Sequence, residues 1–421
     1  MKILLVNPNR YQNPPVPPLG LEYLCGMLSG SGHSPFFLDL CFASQPHQTL
    51  KQTISDIQPD IIGVTIRQID SALYQNNAFF LDEIKEYVAV CKSFHIPVIL
   101  GGSGFSIMPK EILDFTGADF GIYGPGESAL PHLIDRIENG GVPEKISNGF
   151  AALSEPVYSN QRDHVPDYAL YIQKEGTIGF RTQIGCTEQC FFCTEGKMPV
   201  FFHDPLSVAA ELSRLQNLGL HKFHLCDSEF NLNLEHCIHV CRAILTHSGP
   251  IDWSLYMKPE PVSPELFDLL HQTGASLVTL SLDSQKDNIN EFRPIETFLK
   301  LANKYAIPVI IDLSVGHPYE NLNQTKALLY FLDQQPVASV GVNAYYRIYP
   351  NTPLYHTIKA NADLHPFLIN GEAEPNFLRP VFFGYFRYDE LQALLPNNKK
   401  FRIEGFEKSA NYQRINKQNE L

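Results

Sequence analysis

Two kinds of segment alternate along the first third of the chain, and they differ in how apolar and polar positions are spaced. Short apolar, β-branched runs predict strands buried on both faces at 2–7, 36–40, 61–66, 98–101 and 120–124. Between and after them, stretches with apolar residues three or four positions apart predict helices at 19–32, 48–57, 79–94, 109–115 and 127–139. Five strand–helix units in succession predict a flavodoxin-like doubly wound parallel sheet. We place this domain at residues 1–142.

The same alternation resumes after a connector at 143–172 that is rich in glycine, proline and polar residues. Strands are predicted at 177–183, 222–226, 251–257, 277–282, 309–315 and 337–345. Helices are predicted at 206–218, 234–246, 264–273, 295–305 and 323–334. Six such units favour a partial (β/α)6 TIM-type barrel, open at the side, over a closed eight-unit barrel. We place the barrel at 173–358 and expect an irregular C-terminal extension at 359–421.

Composition removes several classes of protein from consideration. The chain of 421 residues is 44% hydrophobic and 18% charged, which suits folded domains with sizeable cores. Its formal net charge is −13 and it has no Lys/Arg block, so we expect no nucleic-acid partner. No apolar stretch is long enough for a membrane span, and the first residues do not form a signal peptide. A cytoplasmic location is therefore expected.

Three of the nine cysteines lie close together, directly after the predicted strand at 177–183. Cys186, Cys190 and Cys193 share one loop, at the end of the strand where barrel active sites lie. Three thiolates can hold three irons of a cubane cluster and leave the fourth iron open. The alternatives are a zinc knuckle and an accidental group of thiols. Zinc would need a fourth ligand, and the nearest candidate, His203, is expected near a helix start at Asp204 instead.

The spacing Cys-x3-Cys-x2-Cys, with Phe192 before the third cysteine, resembles the radical S-adenosylmethionine (SAM) superfamily. The resemblance implies a 4Fe–4S cluster whose open iron binds SAM, and reductive cleavage of SAM to a 5′-deoxyadenosyl radical. It makes Phe192 a candidate SAM-binding residue. It also implies an electron donor such as flavodoxin or ferredoxin.

Further segments extend this resemblance along the predicted barrel. The segment 225–231 ends the second strand, where the superfamily often presents a glutamate to the SAM amino group, so Asp227 and Glu229 are candidates. The alternative is a strand-end turn in which Asp227 caps a helix. Ser281 and Asp283 end the fourth strand and resemble residues near the SAM ribose, although a loop cap explains them as well. The segments 315–320 and 347–354 resemble later motifs of the superfamily.

The N-terminal half resembles cobalamin-binding radical SAM proteins. The segments Pro-Pro-Leu-Gly-Leu-Glu-Tyr-Leu at 17–24, Gly-Gly-Ser-Gly at 101–104 and Asp-Phe-Gly-Ile-Tyr-Gly-Pro-Gly-Glu at 119–127 carry the likeness. Glycines at strand ends would let the backbone approach a flat macrocycle. The cobalamin candidates are therefore Gly101, Gly102, Gly104, Gly124 and Glu127. A nucleotide-binding or packing domain is the alternative.

The sequence has no Asp-x-His-x-x-Gly segment, which supplies a lower axial histidine in another cobalamin-binding class. The cobalt is therefore expected to lack a histidine ligand. Thr65 and Arg67 follow the third strand, near the point where the strand order reverses. Some relatives carry an arginine here, so Arg67 is the candidate for a cation beneath the corrin. The alternative is a surface pair between Arg67 and Asp70.

Two other groups of residues have patterns that packing explains. Cys237 and Cys241 lie one turn apart in a predicted helix, and burial in the core explains them better than a metal site. Tyr345, Tyr346 and Arg347 end the last predicted barrel strand, where contact with substrate and packing are equally compatible with the pattern.

Taken together, the resemblance implies a cobalamin-dependent radical SAM enzyme. The expected activity is C-methylation at an unactivated carbon of a small molecule or peptide, through methylcobalamin and a 5′-deoxyadenosyl radical. The alternatives are cyclisation, ring contraction or oxidation with the same cofactors, non-radical methyl transfer, and a cobalamin or Fe–S sensor without turnover. No side chain could be assigned as a general acid or base.

Overall fold

The computed structural model describes residues 1–151, 162, 166–196, 198–285, 292–371 and 377–405. The chain divides into two compact units. The first comprises Met1–Ser71 and Ala78–Gly179, and the second comprises Ala72–Asn77 and Phe180–Leu421.

The first unit contains a parallel sheet with helices between its strands. Its strands are β1 (Lys2–Asn7), β2 (Ser34–Asp39), β3 (Ile61–Thr65), β4 (Val98–Gly101), β5 (Phe120–Tyr123) and β6 (Ile146–Asn148). Its first helices are α1 (Leu19–Gly30), α2 (Pro46–Ile57), α3 (Leu81–Lys92), α4 (Ser103–Ile107), α5 (Pro109–Thr116) and α6 (Ala129–Glu138). The strand order is β2-β1-β3-β4-β5-β6. The first five strands have the flavodoxin-like order, which confirms the predicted fold.

The sixth strand comes from the predicted connector. Ile146–Asn148 pairs in parallel with β5, with Gly121 opposite Ile146. A three-residue strand at a sheet edge carries too few apolar positions for a sequence pattern to indicate it.

The core of the first unit forms where α1 and α6 cover one side of the sheet. Ile3, Leu5 and Ile61 from the strands pack with Leu21 of α1 and Leu133 of α6, and all are nearly or fully buried. Burying an aliphatic side chain of this size contributes roughly 1.5–3 kcal/mol.

A buried charged pair holds the end of this unit to α1. Glu22, inside the Pro-Pro-Leu-Gly-Leu-Glu-Tyr-Leu segment, lies 3.1 Å from the guanidinium of Arg162, and both side chains are 1% exposed. Tyr168, which begins α7 (Tyr168–Gln173), donates its hydroxyl to Glu22 at 2.5 Å. Burial raises the pKa of Glu22, and the charge of Arg162 opposes that shift. Glu22, the charged residue of the segment at 17–24, therefore has a structural role.

The second unit is built around another largely parallel sheet. Its strands and those of the associated small sheets are β7 (Ile178–Phe180), β8 (Gln183–Ile184), β9 (Phe201–Phe202), β10 (Lys222–Leu225), β11 (Asp252–Met257), β12 (Ala275–Asp283), β13 (Val309–Ser314), β14 (Ser339–Asn343), β15 (Tyr345–Arg347), β16 (Leu368–Ile369), β17 (Phe382–Gly384) and β18 (Phe401–Glu404). Its helices are α8 (Pro205–Asn217), α9 (Leu234–His247), α10 (Pro264–Thr273), α11 (Arg293–Lys304), α12 (Leu322–Asp333), α13 (Pro353–Ala360) and α14 (Tyr388–Leu394). The order in the main sheet is β18-β14-β13-β12-β11-β10-β7, which agrees with a partial barrel.

The C-terminal extension was expected to be irregular, and that expectation is wrong. It contains α14 and three strands, and β18 joins the main sheet in parallel with β14. In β18 the apolar residues Phe401 and Ile403 alternate with Arg402 and Glu404. Because polar residues at alternate strand positions normally indicate a solvent-exposed face, the pattern did not reveal a strand whose charged residues Arg402 and Glu404 are partly or fully buried.

The main sheet of the second unit has one apolar and one polar face. Leu280, Ile311 and Val340 share a buried apolar row of the register. The next row contains Ser281, Asp312, Gly341 and Arg402, and the row two residues further on contains Asp283, Ser314, Asn343 and Glu404. Because side chains two residues apart in a strand share a face, these two rows form one polar face at the carboxyl ends of β12, β13, β14 and β18.

Candidate cofactor and substrate site

The three clustered cysteines lie on a loop closed by a short hairpin. Antiparallel pairing of β8 with β9 brings together the two ends of the segment that carries Cys186, Cys190 and Cys193. Gly185 precedes the first cysteine with φ of +87°, and a Cβ there would lie 2.0 Å from the carbonyl oxygen of Pro199. Only glycine fits this position, so the local sequence fixes where the cysteine loop begins.

The three cysteines are at least partly shielded from solvent. Cys186 is 6% exposed and Cys190 and Cys193 are half-buried. Burial raises the pKa of Cys186, and it raises the pKa of Cys193 to about 11. Iron charge would be needed to hold such thiols as thiolates, because ligand binding to a metal displaces the proton. In the described ranges no group of three or more His, Cys, Asp or Glu side chains is arranged as a metal site.

An ion pair ties the cysteine loop to the strand ends. Lys258, directly after β11, lies 2.5 Å from the carboxylate of Glu188, between the first two cysteines. The backbone of Lys258 is itself held, because its N–H donates to Asn231 Oδ1 at 3.0 Å and its carbonyl accepts from Asn231 Nδ2 at 2.8 Å. The loop position thus depends on a side chain anchored to the sheet. Sequence analysis did not single out Lys258, although its place after a strand was the available signal.

Aromatic packing supports the loop from the other side. Phe192 stacks on Tyr346 with ring centroids 4.9 Å apart, and Phe191 contacts the same ring at 4.7 Å. The carbonyl of Phe191 accepts the N–H of Leu354 at 2.8 Å. The Phe192 side chain therefore stabilises the loop whether or not it also contacts SAM.

Asp227 and Glu229 follow β10 but have different surroundings. Asp227 is 6% exposed, and its carboxylate accepts from the backbone N–H and hydroxyl of Thr182 at 2.8 and 2.5 Å, and from Gln183 N–H at 3.2 Å. It holds the chain before the cysteine loop and caps none of the described helices, whose nearest N-caps are Glu229 and Asn233, so the helix-cap alternative is wrong. Its partners occupy both oxygens, which favours a structural role over ligand contact.

Glu229 has an oxygen available for a ligand. Its Oε2 is buried and has no hydrogen-bond partner among the described residues, while the Ser281 hydroxyl donates to the carboxylate. Burial raises the pKa of Glu229 to about 8. A buried carboxylate with an unsatisfied oxygen fits a cationic ligand such as an ammonium group, whose charge would favour ionisation.

Hydrogen bonds fix the segments that follow β12 and β13, and one of them closes a turn at Asp283. Its Oδ1 accepts the N–H of Gln285 at 2.9 Å, as in the loop-cap alternative. Ser284 donates to Glu320 at 2.8 Å, and Glu320 also accepts the N–H of His317 at 2.8 Å. Ser281 remains partly exposed on the polar face beside Glu229.

Tyr345, Tyr346 and Arg347 are all buried. Tyr345 stacks on Tyr74 at 4.8 Å, and the hydroxyl of Tyr346 donates to the carbonyls of Val315 and Asn343 at 2.6 and 2.7 Å. The Arg347 guanidinium donates to the carbonyls of Ile348, Phe377 and Leu378 at 2.5, 2.7 and 3.1 Å. These contacts favour the packing alternative for all three.

In the first unit, a cleft of about 170 Å³ opens at the carboxyl ends of β1 and β3. This is the point where the strand order reverses, as expected of a ligand site in an open α/β sheet. Thr65 and Arg67 line it, together with Arg10 and Glu83. Arg67 donates to Gln68 Oε1 at 2.9 Å, whereas Asp70 is only 3% exposed. The surface pair between Arg67 and Asp70 is therefore wrong, since Asp70 is not at the surface.

The glycines after β4 support the segment that carries Arg67. A Cβ on Gly102 would lie 2.6 Å from the Ile66 carbonyl oxygen, and one on Gly104 would lie 2.8 Å from the Gln68 nitrogen. Ser103 donates to the Arg67 carbonyl at 2.7 Å. These glycines are needed for packing within the protein, and they position Arg67 at the cleft. A Cβ on Gly101 would make only an ordinary contact, 3.8 Å from the Ile122 carbonyl oxygen.

The two remaining cobalamin candidates lie after β5. Gly124 has φ of +81°, and a Cβ there would lie 2.6 Å from the Phe150 ring. Glu127 is 3% exposed.

The two cysteines of α9, whose spacing resembles that of metal ligands, belong to the core. Cys237 and Cys241 are fully buried, and Cys237 donates its thiol to carbonyls of Phe230 and Asn233. His203 is 1% exposed, and Asp204 after it caps α8 by accepting the Ser207 N–H, as predicted.

Two family models match the chain in sequence order. The B12 binding domain matches residues 13–134, and the Radical SAM superfamily matches residues 180–332. The first match contains Thr65 and Arg67 of the cleft but begins after Arg10. The second contains the cysteine loop and the strand ends that carry Glu229 and Ser281. No helix in the described ranges has the length and hydropathy that a bilayer span requires.

Two curated proteins are similar to the chain at low identity. Tryptophan 2-C-methyltransferase of Streptomyces laurentii is 24% identical over an alignment of 450 positions, which covers 86% of this chain and 75% of that protein. Cytidylyl-2-hydroxyethylphosphonate methyltransferase of Streptomyces wedmorensis is 25% identical, covering 67% of this chain and 65% of that protein. The chain thus spans just under two thirds of the second relative.

Solved structures share the whole fold. The radical S-adenosylmethionine methyltransferase TsrM from Kitasatospora setae, with cobalamin and a [4Fe-4S] cluster bound, has a TM-score of 0.82 at 21% identity. That alignment covers 95% of this chain and 92% of TsrM. The cobalamin-dependent S-adenosylmethionine radical enzyme OxsB has a TM-score of 0.70 at 16% identity, covering 91% of this chain and 64% of OxsB. Both units of the chain are therefore found together in known structures.

Proposed function

Because this chain belongs to the cobalamin-binding radical SAM family, we propose that it is a methyltransferase that transfers a methyl group from SAM to a carbon atom of a small molecule. The observation that carries the proposal is the ordered pair of domain matches, with a three-cysteine loop in the second. A relative aligned over most of this chain is named for methylation at a carbon of tryptophan. The proposal includes methylation at an unactivated carbon. A peptide is the alternative substrate.

The residues fit three cofactors at separate positions. Cys186, Cys190 and Cys193 would hold the 4Fe–4S cluster, while Glu229 and Ser281 would hold SAM. Thr65 and Arg67, with the strand-end glycines behind them, would contact cobalamin at the cleft of the first unit. When bound, these cofactors supply reductive cleavage of SAM and a methyl group carried on cobalt.

The protein's own contribution is to hold ligands in place. Lys258 and the Phe192–Tyr346 stack fix the cysteine loop against the ends of the strands. The unsatisfied Oε2 of Glu229 would accept a hydrogen bond from the SAM ammonium, and Ser281 orients the same carboxylate. Fixing such groups before the ligand arrives lowers the entropic cost of reaching a productive geometry. Arg67 places a cation at the cleft without needing to bind the metal.

An external electron donor of the flavodoxin or ferredoxin type completes the proposal, because reductive cleavage of SAM needs one electron per event. The formal net charge of the chain is −13, so recognition of such a donor would depend on a local surface and not on the overall charge.

The test is an anaerobic assay of reconstituted protein with SAM, cobalamin, a reductant and a panel of small-molecule substrates. Radical methylation predicts S-adenosylhomocysteine and 5′-deoxyadenosine in equal amounts, together with a methylated product. S-adenosylhomocysteine alone would indicate non-radical methyl transfer, and 5′-deoxyadenosine alone would indicate cyclisation or oxidation. If SAM is not consumed with any substrate, the protein is a sensor and the proposal fails. Cys190→Ala is the control that should lack iron and turnover.

A further inference from the structure

Three of the described residues that line the cleft of the first unit carry charge. Arg10 follows β1, Arg67 follows β3, and Glu83 belongs to the first turn of α3. Arg10 and Glu83 are each 37% exposed, and Arg67 is half-buried. The cleft therefore holds two cations and one carboxylate, and the cofactor assignments use only the charge of Arg67.

The carboxylate of the cleft pairs with Arg10. The guanidinium of Arg10 donates through Nη1 to Glu83 Oε1 at 3.3 Å, and through Nη2 to the carbonyl of Ala43 at 3.3 Å. The hydroxyl of Tyr87, one turn further along α3, donates to the same oxygen of Glu83 at 2.5 Å. Arg10 is thus held at two points, and its charge offsets the charge of Glu83.

Arg67 is held by a neutral side chain instead. Its Nη1 donates to Gln68 Oε1 at 2.9 Å, and within the described part of the chain its guanidinium makes no ion pair. The backbone of Gln68 is closely packed, because a Cβ on Gly104 would lie 2.8 Å from its nitrogen. An amide oxygen fixes a guanidinium without cancelling its charge, whereas a carboxylate in the same place would do both.

The charge of Arg67 therefore acts on whatever occupies the cleft. A cation that no carboxylate compensates stabilises the state of a bound ligand that carries more negative charge. One-electron reduction of cobalamin from Co(II) to Co(I) lowers the charge of the cofactor by one unit. The contacts of Gln68 and Arg10 should thus favour the reduced state, although neither side chain needs to touch the metal.

We propose that Gln68 and Arg10 are positioning residues that keep Arg67 as a fixed, uncompensated cation at the cobalamin cleft. Gln68 orients the guanidinium without neutralising it, and Arg10 offsets the charge of Glu83. The inference rests on the proposed function for the identity of the ligand. It concerns the reduction equilibrium of that ligand and no step of methyl transfer, so the two can be tested separately.

The experiment titrates the reconstituted holoenzyme, saturated with cobalamin and without SAM, so that no turnover is required. Titanium(III) citrate supplies one electron for each Co(II) reduced and becomes titanium(IV). The absorbance of Co(I) and the EPR signal of Co(II) give their ratio at each potential. In Arg67→Gln the ratio of Co(I) to Co(II) at a fixed potential should fall about tenfold, as for loss of one nearby charge, which corresponds to about 59 mV for one electron.

Variants of Gln68 separate orientation from charge. Gln68→Glu keeps an acceptor of the same size but adds a carboxylate, so it should lower the ratio about as far as Arg67→Gln. Gln68→Leu removes the acceptor and frees the guanidinium, so the ratio should fall by a smaller factor. Gln52→Glu is the matched control, because it adds the same charge at an exposed position of α2 in the same unit. Its ratio should equal that of the wild type.

Variants of Arg10 test whether it acts through Glu83. Arg10→Gln leaves the carboxylate uncompensated, so the ratio should fall, and adding Glu83→Gln should restore it. If Arg10 only supported the local structure, the second substitution would remove a further contact and restore nothing. Arg136→Gln is the control, because that arginine is exposed on α6. Cobalamin content and thermal midpoint show whether each variant folds and stays loaded.

Two results would overturn the inference alone: a wild-type ratio in Arg67→Gln or Gln68→Glu with cobalamin bound, or no recovery when Glu83→Gln is added to Arg10→Gln. A wild-type protein that binds no cobalamin would overturn both this inference and the cofactor assignment of the proposed function. The expected ratios in a protein that forms no methylated product would support the inference and count against the methyl transfer.

Discussion

The ammonium of Lys258 lies 2.5 Å from the carboxylate of Glu188, inside the loop that carries the three cysteines. Both side chains are only about a quarter to a third exposed, at 25% and 31%. The pair therefore joins the loop to the end of β11 in a setting where solvent weakens it less than at an open surface.

Replacing Lys258 with Met should loosen the cysteine loop without removing a ligand. We expect the cluster to form but to lose iron several-fold faster to a chelator, since the loop keeps its thiols but loses one anchor. Iron release under anaerobic conditions, followed by absorbance, measures this. Arg242→Gln is the control, because Arg242 and Glu265 form an exposed pair in the same unit. Equal rates in the wild type and Lys258→Met would show that the ion pair does not hold the loop.

Substitutions of the two acidic residues after β10 should have different effects. Glu229→Gln removes the charge that we assign to the SAM ammonium, so SAM affinity should fall about tenfold or more while iron content stays unchanged. Equilibrium dialysis with SAM measures the first effect and iron analysis the second. Normal SAM affinity in Glu229→Gln would exclude this assignment.

Asp227→Asn should instead lower stability. The Asp227 carboxylate accepts three hydrogen bonds from Thr182 and Gln183, and an amide cannot accept all three in the same geometry. We expect a loss of about 1–3 kcal/mol in the free energy of unfolding. Urea denaturation followed by the fluorescence of Trp253, the one tryptophan of the chain, reports on this unit. A variant as stable as the wild type but impaired in SAM binding would reverse the roles of Asp227 and Glu229.

Arg162→Met should destabilise the first unit strongly. It would leave the fully buried Glu22 without its cation, and breaking a buried pair from one side costs about 3–5 kcal/mol. Adding Glu22→Gln should recover part of the loss, because the uncompensated charge is then removed. Urea denaturation followed by circular dichroism measures both. Lys110→Met, which breaks an exposed pair with Asp114, is the control and should leave the free energy of unfolding nearly unchanged.

The sequence predicted the strands closely because their apolar runs face helices. The strands at 2–7 and 98–101 and the helix at 264–273 have the predicted bounds. The edge strand β6 and the seventh barrel strand β18 were missed because one is very short and the other carries alternate charged residues. Hydrophobic periodicity detects strands that are apolar on a buried face, and a polar active-site face weakens that signal.

The candidate site was less predictable than the fold. The cysteine spacing predicts the cluster loop, but no local pattern distinguishes Asp227 from Glu229. What separates them is which of the two carboxylates meets Thr182, a residue 45 positions away. Arg347 is a similar case, since its guanidinium turns towards carbonyls of Phe377 and Leu378. The direction of a side chain depends on tertiary contacts, which spacing alone does not contain.

Acid should destabilise the second unit through His203. Burial, with smaller contributions from the charges of Arg181 and His236, lowers the pKa of His203 to about 2 from an ordinary value of 6.5. The folded state therefore keeps this histidine neutral, while the unfolded chain takes up a proton once the pH falls below 6.5. The stabilisation is complete above pH 6.5 and is lost progressively towards pH 2, at about 1.4 kcal/mol per pH unit at most. His203→Gln should reduce the slope of the unfolding free energy against pH between pH 6.5 and 4.5, by at most the contribution of one bound proton. Urea denaturation followed by Trp253 fluorescence at each pH measures this slope. The exposed His247→Gln should leave that slope unchanged, and an equal slope in His203→Gln would mean that His203 is not held neutral in the folded protein.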